Sequence, residues 1–168
     1  MSFIKSIASC PLFLGLAEDE VGVFRPAFEL ISVPEGQNII SEGEPGTAIE
    51  ILVKGTVSIS KALTLQPADA TNDTRDKALI TLTGDAKPFF GEMGLVRENV
   101  NRTATVKAET DCEIVEVERD KFLEILKQYP HVGFQVMYNV ANKLARDLQR
   151  ESQNVLKLTT AFSLILDE

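Results

Sequence analysis

A chain of 168 residues with 44% hydrophobic side chains is long enough to bury a full core and ordinary in composition for a globular protein. Its formal net charge of −8 argues against a broad nucleic-acid footprint, which needs clustered Lys and Arg, but leaves room for one small anion held locally. The N-terminus MSFIKSIASCPLF is too polar and too short for a secretion signal, and no apolar run approaches the roughly 20 residues of a membrane span, so a soluble cytoplasmic protein is expected.

Residues 3–9 and 17–28 read as short helices broken at Pro11 and near Pro26, with Phe3, Ile4, Ile7, Val21, Val23 and Phe24 needing a larger body to pack against. Cys10 and Cys112 lie far apart in sequence and form no ligand cluster; two free, partly buried thiols are expected, as in a reducing compartment. Pro34-Glu35-Gly36 signals a turn, a fixed φ followed by a residue free to take φ > 0. Ile39 and Ile40 start a strand that ends between Gly43 and Gly46. Ile49 to Ser60 alternates around Lys54-Gly55 as a hairpin would, with Val57 and Ile59 on one face and Ser58 and Ser60 on the other. Residues 66–77 are polar without periodicity and read as a surface loop; strand character returns from Ala78 to Thr83, and Gly84-Asp85 makes a turn.

Residues 90–105, FGEMGLVRENVNRTAT, carry the most chemistry. Gly91 lets the backbone approach a ligand closely, because it has no Cβ. The amides of Glu92, Met93 and Gly94 would open a helical turn and point at an anion. Arg102 adds a planar guanidinium, which suits a phosphate better than lysine does. Glu92 adds an acceptor suited to a sugar hydroxyl. A site that wants both a phosphate and a ribose hydroxyl wants a nucleotide.

Ala104 to Lys107 and Cys112 to Val117 alternate as strands again, and many short strands with frequent turn signals suggest a β-sandwich or roll. Asp120 is placed to cap a helix running to about Gln128, and Pro130 restarts the chain. His131, the one histidine, reads as a capping or solvated residue. From there the chain is helix-prone, with a seam at Met137, Ala141, Leu144, Leu148, Glu151, Val155, Leu158, Phe162 and Ile165. Intervals alternating between four and three define a left-handed coiled-coil repeat, so a long helix pairing with its copy in a parallel homodimer is expected across 137–165; the competing reading packs its first half on the chain's own strands, and both can hold in different stretches. No Cys/His cluster has metal-ligand spacing, no phosphate-binding or dinucleotide glycine fingerprint appears, and no nucleophile–base pair supports catalysis, so neither a metal nor an enzyme is expected.

The stretch Phe90-Gly91-Glu92 followed by Arg102-Thr103-Ala104 resembles the phosphate-binding cassette of the cyclic nucleotide-binding domain family. Three further blocks, PEGQNIISEGEPG (34–46), ILVKGTVSIS (51–60) and TDCEIVEVERDKFLEIL (110–126), match that family in order. The resemblance implies a mainly β fold with flanking helices: a β-roll of the jelly-roll kind with N-terminal helices over 1–130, and a long C-terminal lid and dimerisation helix over 131–168. It implies cAMP or cGMP as ligand. Thr103 occupies a position whose hydroxyl can touch the phosphate or a guanine edge, and so permits either purine. The similarity is greatest to the bacterial catabolite activator protein subgroup, where the long helix covers the purine. ANKLARDLQRESQNV (141–155) aligns there without gaps, and Ser152 falls where a helix serine of the partner subunit reaches adenine. Three departures stand out: Glu151 replaces a usual threonine, Asp147 replaces an arginine that usually meets the cassette, and the turn 84–92 is longer than usual. A carboxylate at Glu151 could accept from a purine amino group, and two such carboxylates at the seam would repel until ligand arrives; a solvated Glu151 is the plainer reading.

The expectation is thus a bacterial signal-transduction domain that binds cAMP or cGMP without turnover, acting through a homodimer and a downstream protein partner. Arg102 neutralises the phosphate, Glu92 takes the ribose hydroxyl, Gly91 and the following amides line the phosphate site, Ile59 and Leu82 wall the base, and Ser152 or Glu151 meets the purine. The last stretch, TTAFSLILDE, holds no basic recognition helix, so direct nucleic-acid binding is not expected from this chain. Two alternatives stand beside this reading: a relative of the same fold sensing haem, redox change or an aromatic ligand, which usually lacks the Glu92–Arg102 pair, and a structural dimerisation module with a vestigial pocket.

Overall fold

The computed structural model describes residues 3–61 and 77–166. The chain opens with α1 (Phe3–Ile7), a 3-10 turn over Pro11–Phe13, α2 (Glu18–Gly22) and a second 3-10 turn over Arg25–Ala27. Then come β1 (Phe28–Val33), β2 (Asn38–Ile40), β3 (Ala48–Lys54), β4 (Thr56–Lys61), β5 (Lys77–Thr83) and β6 (Phe89–Phe90). The short helix α3 (Met93–Val96) leads into β7 (Thr105–Ala108) and β8 (Cys112–Glu118), followed by α4 (Arg119–Gln128) and α5 (Pro130–Leu166). The polar loop expected over 66–77 lies outside the described residues, apart from Lys77, which begins β5.

All pairings are antiparallel, in two four-stranded sheets ordered β1-β8-β3-β6 and β2-β7-β4-β5. Side chains alternate across a strand, so the first sheet serves two cores. Ile49, Ile51, Val115 and Val117 face the helices and join Phe13, Phe24, Phe122 and Val136. Leu52, Phe90 and Ile114 point the other way and meet Ile40, Val57 and Val106 of the second sheet. β3 is consequently buried on both faces from Ala48 to Leu52. This is the expected β-roll with flanking helices. Cys10 and Cys112 are free and buried, and burial pushes the Cys10 thiol up to about 12.

Three local expectations need correction. β3 and β4 do not form a hairpin: they belong to different sheets, and Lys54-Gly55 is the corner between them. Gly55 has φ +97, and a Cβ there would sit 2.6 Å from the Asp111 carbonyl and from Cys112 Sγ. Period-two patterning marks a strand with one buried face but does not name its partner. The helix expected over 17–28 ends early, and Phe28 opens β1; Val21, Phe24 and Phe28 mimic a helical stripe, but Pro26 admits only a short 3-10 turn. Asp120 is not the cap of α4, which begins at Arg119 with Glu118 before it; the Asp120 carboxylate instead accepts from Arg119 Nη1 at 2.9 Å.

In α5, Val132, Val136 and Val140 are buried against the roll, with Met137 and Leu144 leaning on the same core. Asn139 fixes the helix to the N-terminal segment, donating to the Leu12 (3.0 Å) and Leu14 (2.8 Å) carbonyls. Every residue from Leu148 to Ile165 is exposed. The seam side chains Leu148, Val155, Leu158, Phe162 and Ile165 are 60–70% exposed, far more than large apolar groups in a core would be.

Candidate functional site

β6 ends at Phe90 and the chain turns at Gly91, whose φ of +86 L side chains rarely adopt. Space excludes a side chain too: a Cβ would lie 2.6 Å from the Ala48 carbonyl and 2.7 Å from Glu50 Oε2, and would collide with Arg102 Nη1. The turn that becomes α3 is tight, with the Gly94 and Leu95 amides donating to the Gly91 and Glu92 carbonyls, both at 3.1 Å. Gly94 therefore is not the free donor the sequence suggested. The Glu92 and Met93 amides have no such backbone acceptor among the described residues.

The glycine-punctuated turn 43–46 braces the returning strand. Arg102 N–H donates to the Glu44 carbonyl at 2.7 Å, Gly43 N–H to the Arg102 carbonyl at 2.9 Å, and Gly46 N–H to the Val100 carbonyl at 3.1 Å. Arg119, which looks like an ordinary surface charge in sequence, is 20% exposed at its side chain and acts as a strut. Its Nε donates to the Gly94 carbonyl at 2.7 Å, and its guanidinium meets Glu98 at 3.5 Å, tying α4 to α3 and the loop after it.

Arg102 turns its side chain inward, where Nη2 donates to Oε1 of Glu50 in the middle of β3. The pair is deeply buried, with 11% and 4% of the two side chains exposed. Two of its atoms, Arg102 Nη1 and Glu50 Oε2, are buried without a partner. Glu50 shares the alternation of Leu52, so it points between the sheets, and its register partner on β8 is Glu116. Burial pushes the Glu50 carboxyl up from 4.5 to about 8; the Arg102 charge pulls against this and Glu116 adds to it. Sequence reading missed Glu50. Its signal was an acid in the centre of the apolar run Ala48–Leu52.

α5 closes the site from the other side. Lys143 Nζ donates to Glu92 Oε1 at 2.7 Å and to Asp147 Oδ2 at 2.8 Å, and lies 5.5 Å from the centroid of the Phe89 ring. Burial opposes the Lys143 charge, but Glu92 and Asp147 outweigh it and its pKa is raised. Asp147, noted in the sequence for replacing an arginine, thus reaches the cassette through Lys143, and Arg150 pairs with its other oxygen.

These elements enclose a cavity of about 480 Å³. Gly91, Glu92, Met93, Gly94, Arg102, Thr103 and Ala104 line it at one end, and Ile59, Ile80, Leu82 and Val106 form an apolar wall. Asn139, Lys143, Arg146, Asp147 and Arg150 line it from α5. Of the expected residues, Glu151 and Ser152 stand apart: they follow Arg150 directly, are exposed, and do not line the cavity of the single chain. Lining cations (Arg102, Lys143, Arg146, Arg150) outnumber lining carboxylates (Glu92, Asp147), so the cavity is locally positive in a chain of net charge −8. It can hold a small anion at Arg102, a hydroxyl at Glu92 and an apolar ring against Ile59 and Leu82. His131 lies outside it, 80% exposed and 3.4 Å from Glu20. Among the described residues no group of His, Cys, Asp or Glu could hold a metal, and no helix is long and apolar enough to cross a membrane.

Residues 30–129 match the profile of the cyclic nucleotide-binding domain. The chain is 33% identical over 125 residues to the cAMP-activated global transcriptional regulator CRP of Haemophilus influenzae, covering 74% of this chain and 50% of that protein. It is 30% identical over 139 residues to the cyclic AMP receptor protein of Thermus thermophilus, covering 83% and 57% respectively. The chain therefore spans about half the length of these relatives. Among solved structures, the Thermus thermophilus catabolite activator protein superposes with TM-score 0.73 at 27% identity, over 89% of this chain and 63% of the other. A cyclic nucleotide-binding domain from Methylobacillus flagellatus superposes equally well, TM-score 0.73, at 18% identity over 91% and 80%, a likeness of fold.

Proposed function

The chain belongs to the cyclic nucleotide-binding domain family, and we propose that it binds cAMP or cGMP as a regulatory signal, without chemical turnover. The observation that carries this reading is the convergence of Arg102, the Gly91 turn and Glu92 at one end of a cavity whose other wall is apolar. The phosphate would lie against Arg102 Nη1 and the Glu92 and Met93 amides. The ribose hydroxyl would donate to Glu92, sharing that carboxylate with Lys143. Thr103 and Ala104 would flank the phosphate, and the base would rest on Ile59 and Leu82. The retained Glu92 and Arg102 favour this over a haem or redox sensor of the same fold.

The exposed seam of α5 supports a second part of the reading: two copies pair in parallel along 137–165. In that dimer Glu151 and Ser152, which line nothing in the single chain, would reach the partner's purine, and a bound nucleotide would bias the pairing and what a downstream protein meets. Thermal melting of wild type and Arg102→Ala with cAMP, cGMP and 5′-AMP tests the binding. Ligand at about 100 times Kd should stabilise wild type by about 2.7 kcal/mol. A shift with a cyclic nucleotide, absent with 5′-AMP and lost in Arg102→Ala, supports the reading. Melting that ignores every nucleotide at millimolar concentration overturns it in favour of a structural dimerisation module.

A further inference from the structure

The arginine assigned to the phosphate is already engaged by a carboxyl group behind it. Glu50 reaches Arg102 Nη2 from the middle of β3, inside the roll, with 4% of its side chain exposed. Its second oxygen, Oε2, is buried with no donor, and so is the second Arg102 nitrogen, Nη1. Nη1 is the donor a phosphate oxygen would satisfy, since it packs against Gly91 at the turn that lines the cavity. A bound phosphodiester would then place a second anion on the same guanidinium, close to a carboxylate that cannot reach water. Two anions around one buried cation is a costly arrangement; neutralising the carboxylate relieves it. The lone pair of Oε2, facing no donor, is where the proton would reside.

We propose that Glu50 is a positioning residue for Arg102 that carries a proton whenever nucleotide is bound, so that wherever the ligand-free carboxyl is ionised, ligand binding draws a proton into the roll. The proposal rests on the cyclic nucleotide reading of the cavity. The charged groups around Glu50 agree with it. On its own sheet, β8 places Glu116 opposite it, another negative charge, and β6 places the uncharged Phe90. The 100–102 segment contributes Arg102 alone, while Glu92 of the cassette turn has its charge met by Lys143. Burial already lifts the free carboxyl to about 8, and the phosphate lifts it further. The sign follows: below about pH 8 Glu50 is protonated before and after binding, and affinity is flat; above it the free protein must take up a proton to bind, and affinity falls with rising pH.

The experiment is calorimetric titration of the full chain with cAMP, which has no group titrating in this range, from about pH 6 to about pH 9, in buffers of different ionisation enthalpy. Wild type should show an affinity that is flat and then falls by up to about tenfold per pH unit above about pH 8, with uptake approaching one proton per nucleotide. Glu50→Gln keeps a neutral group on Arg102, and its affinity should no longer change with pH. Glu116→Gln, which leaves Glu50 in place, should move the onset of the fall to lower pH. Carboxyl carbon resonances of wild type, labelled at glutamate, read the same event without substitution: one glutamate should be protonated in the complex at about pH 8.5. A flat wild-type profile, a slope that persists in Glu50→Gln, or no protonated glutamate in the complex each overturns the proposal while leaving nucleotide binding intact. A wild type that binds no cAMP at any pH overturns the reading beneath it as well.

Discussion

Replacing Arg102 by methionine should do more than abolish phosphate binding, because it strips Glu50 of its counter-ion. The Glu50 side chain is 4% exposed and its hydrogen-bond donor is Arg102, so the variant leaves a carboxylate in the core with neither water nor cation. Breaking a buried pair from one side typically costs about 3–5 kcal/mol. Glu50 has an escape, since it can bind a proton, and losing the Arg102 charge raises its pKa further. The cost should therefore depend on pH. Near pH 6, with Glu50 neutral in either protein, the loss is one hydrogen bond, about 1 kcal/mol. Near pH 9, where Glu50 is ionised on Arg102 in wild type but must hold a proton in the variant, the cost should be larger by up to about 1.4 kcal/mol, the linkage of one proton over one pH unit above about 8. The double variant Glu50→Leu/Arg102→Met removes both groups and should recover most of the loss, as apolar replacements of buried pairs do. Urea unfolding at the two pH values, comparing midpoints at constant slope, reads this directly. An Arg102→Met penalty that is the same at both pH values, or that the double variant fails to relieve, would refute the argument.

Gly91→Ala should be disproportionately harmful for a single methyl: φ +86 and contacts of 2.6–2.7 Å with Ala48 O and Glu50 Oε2 point to a loss of about 1–3 kcal/mol by chemical denaturation, together with loss of nucleotide binding. The upward shift of Glu50 means the folded state holds a proton that the unfolded chain releases, so folding stability should fall as pH rises from about 4.5 towards about 8, by at most about 1.4 kcal/mol per unit, with that component of the slope absent in Glu50→Gln melts. Lys143→Ala cuts the tie between α5 and Glu92; with the lysine side chain 28% exposed the global cost should stay near 1 kcal/mol or below, but amide exchange in residues 92–95 and around 143 should quicken, and unchanged exchange would refute the tie. Glu151→Leu completes the apolar seam and should tighten self-association in sedimentation runs; equal dimer stability with and without cyclic nucleotide in both proteins would end the idea that repulsion between the Glu151 carboxylates makes a switch.

What could be read from sequence was whatever is encoded locally. The Gly91–Glu92 turn, the Pro34-Glu35-Gly36 turn and the seam of α5 declare themselves through residues with special backbone freedom or through a period, and the structure has the turns and the unbroken helix where these lie. Ile59 and Leu82 line the same cavity as the cassette. The failures share a different cause. The corner at Gly55 looks like a hairpin because alternation records burial of a face, not the identity of a neighbour. Glu50, Lys143 and Arg119 matter through partners 52, 51 and 25 residues away in sequence, and no local signal carries such distances. Glu50 was the most accessible of the three, since an acid inside a five-residue buried run must be paired, protonated or both.

The most direct test of the central claim is a titration of the purified full chain with cAMP, cGMP and 5′-AMP, followed by isothermal calorimetry near pH 7. Saturable binding of a cyclic nucleotide at one site per chain, lost with open-chain 5′-AMP and lost in Arg102→Met under conditions where that variant remains folded, is the predicted result. Absence of heat with either cyclic nucleotide at millimolar concentration, or binding that survives removal of Arg102, would contradict it.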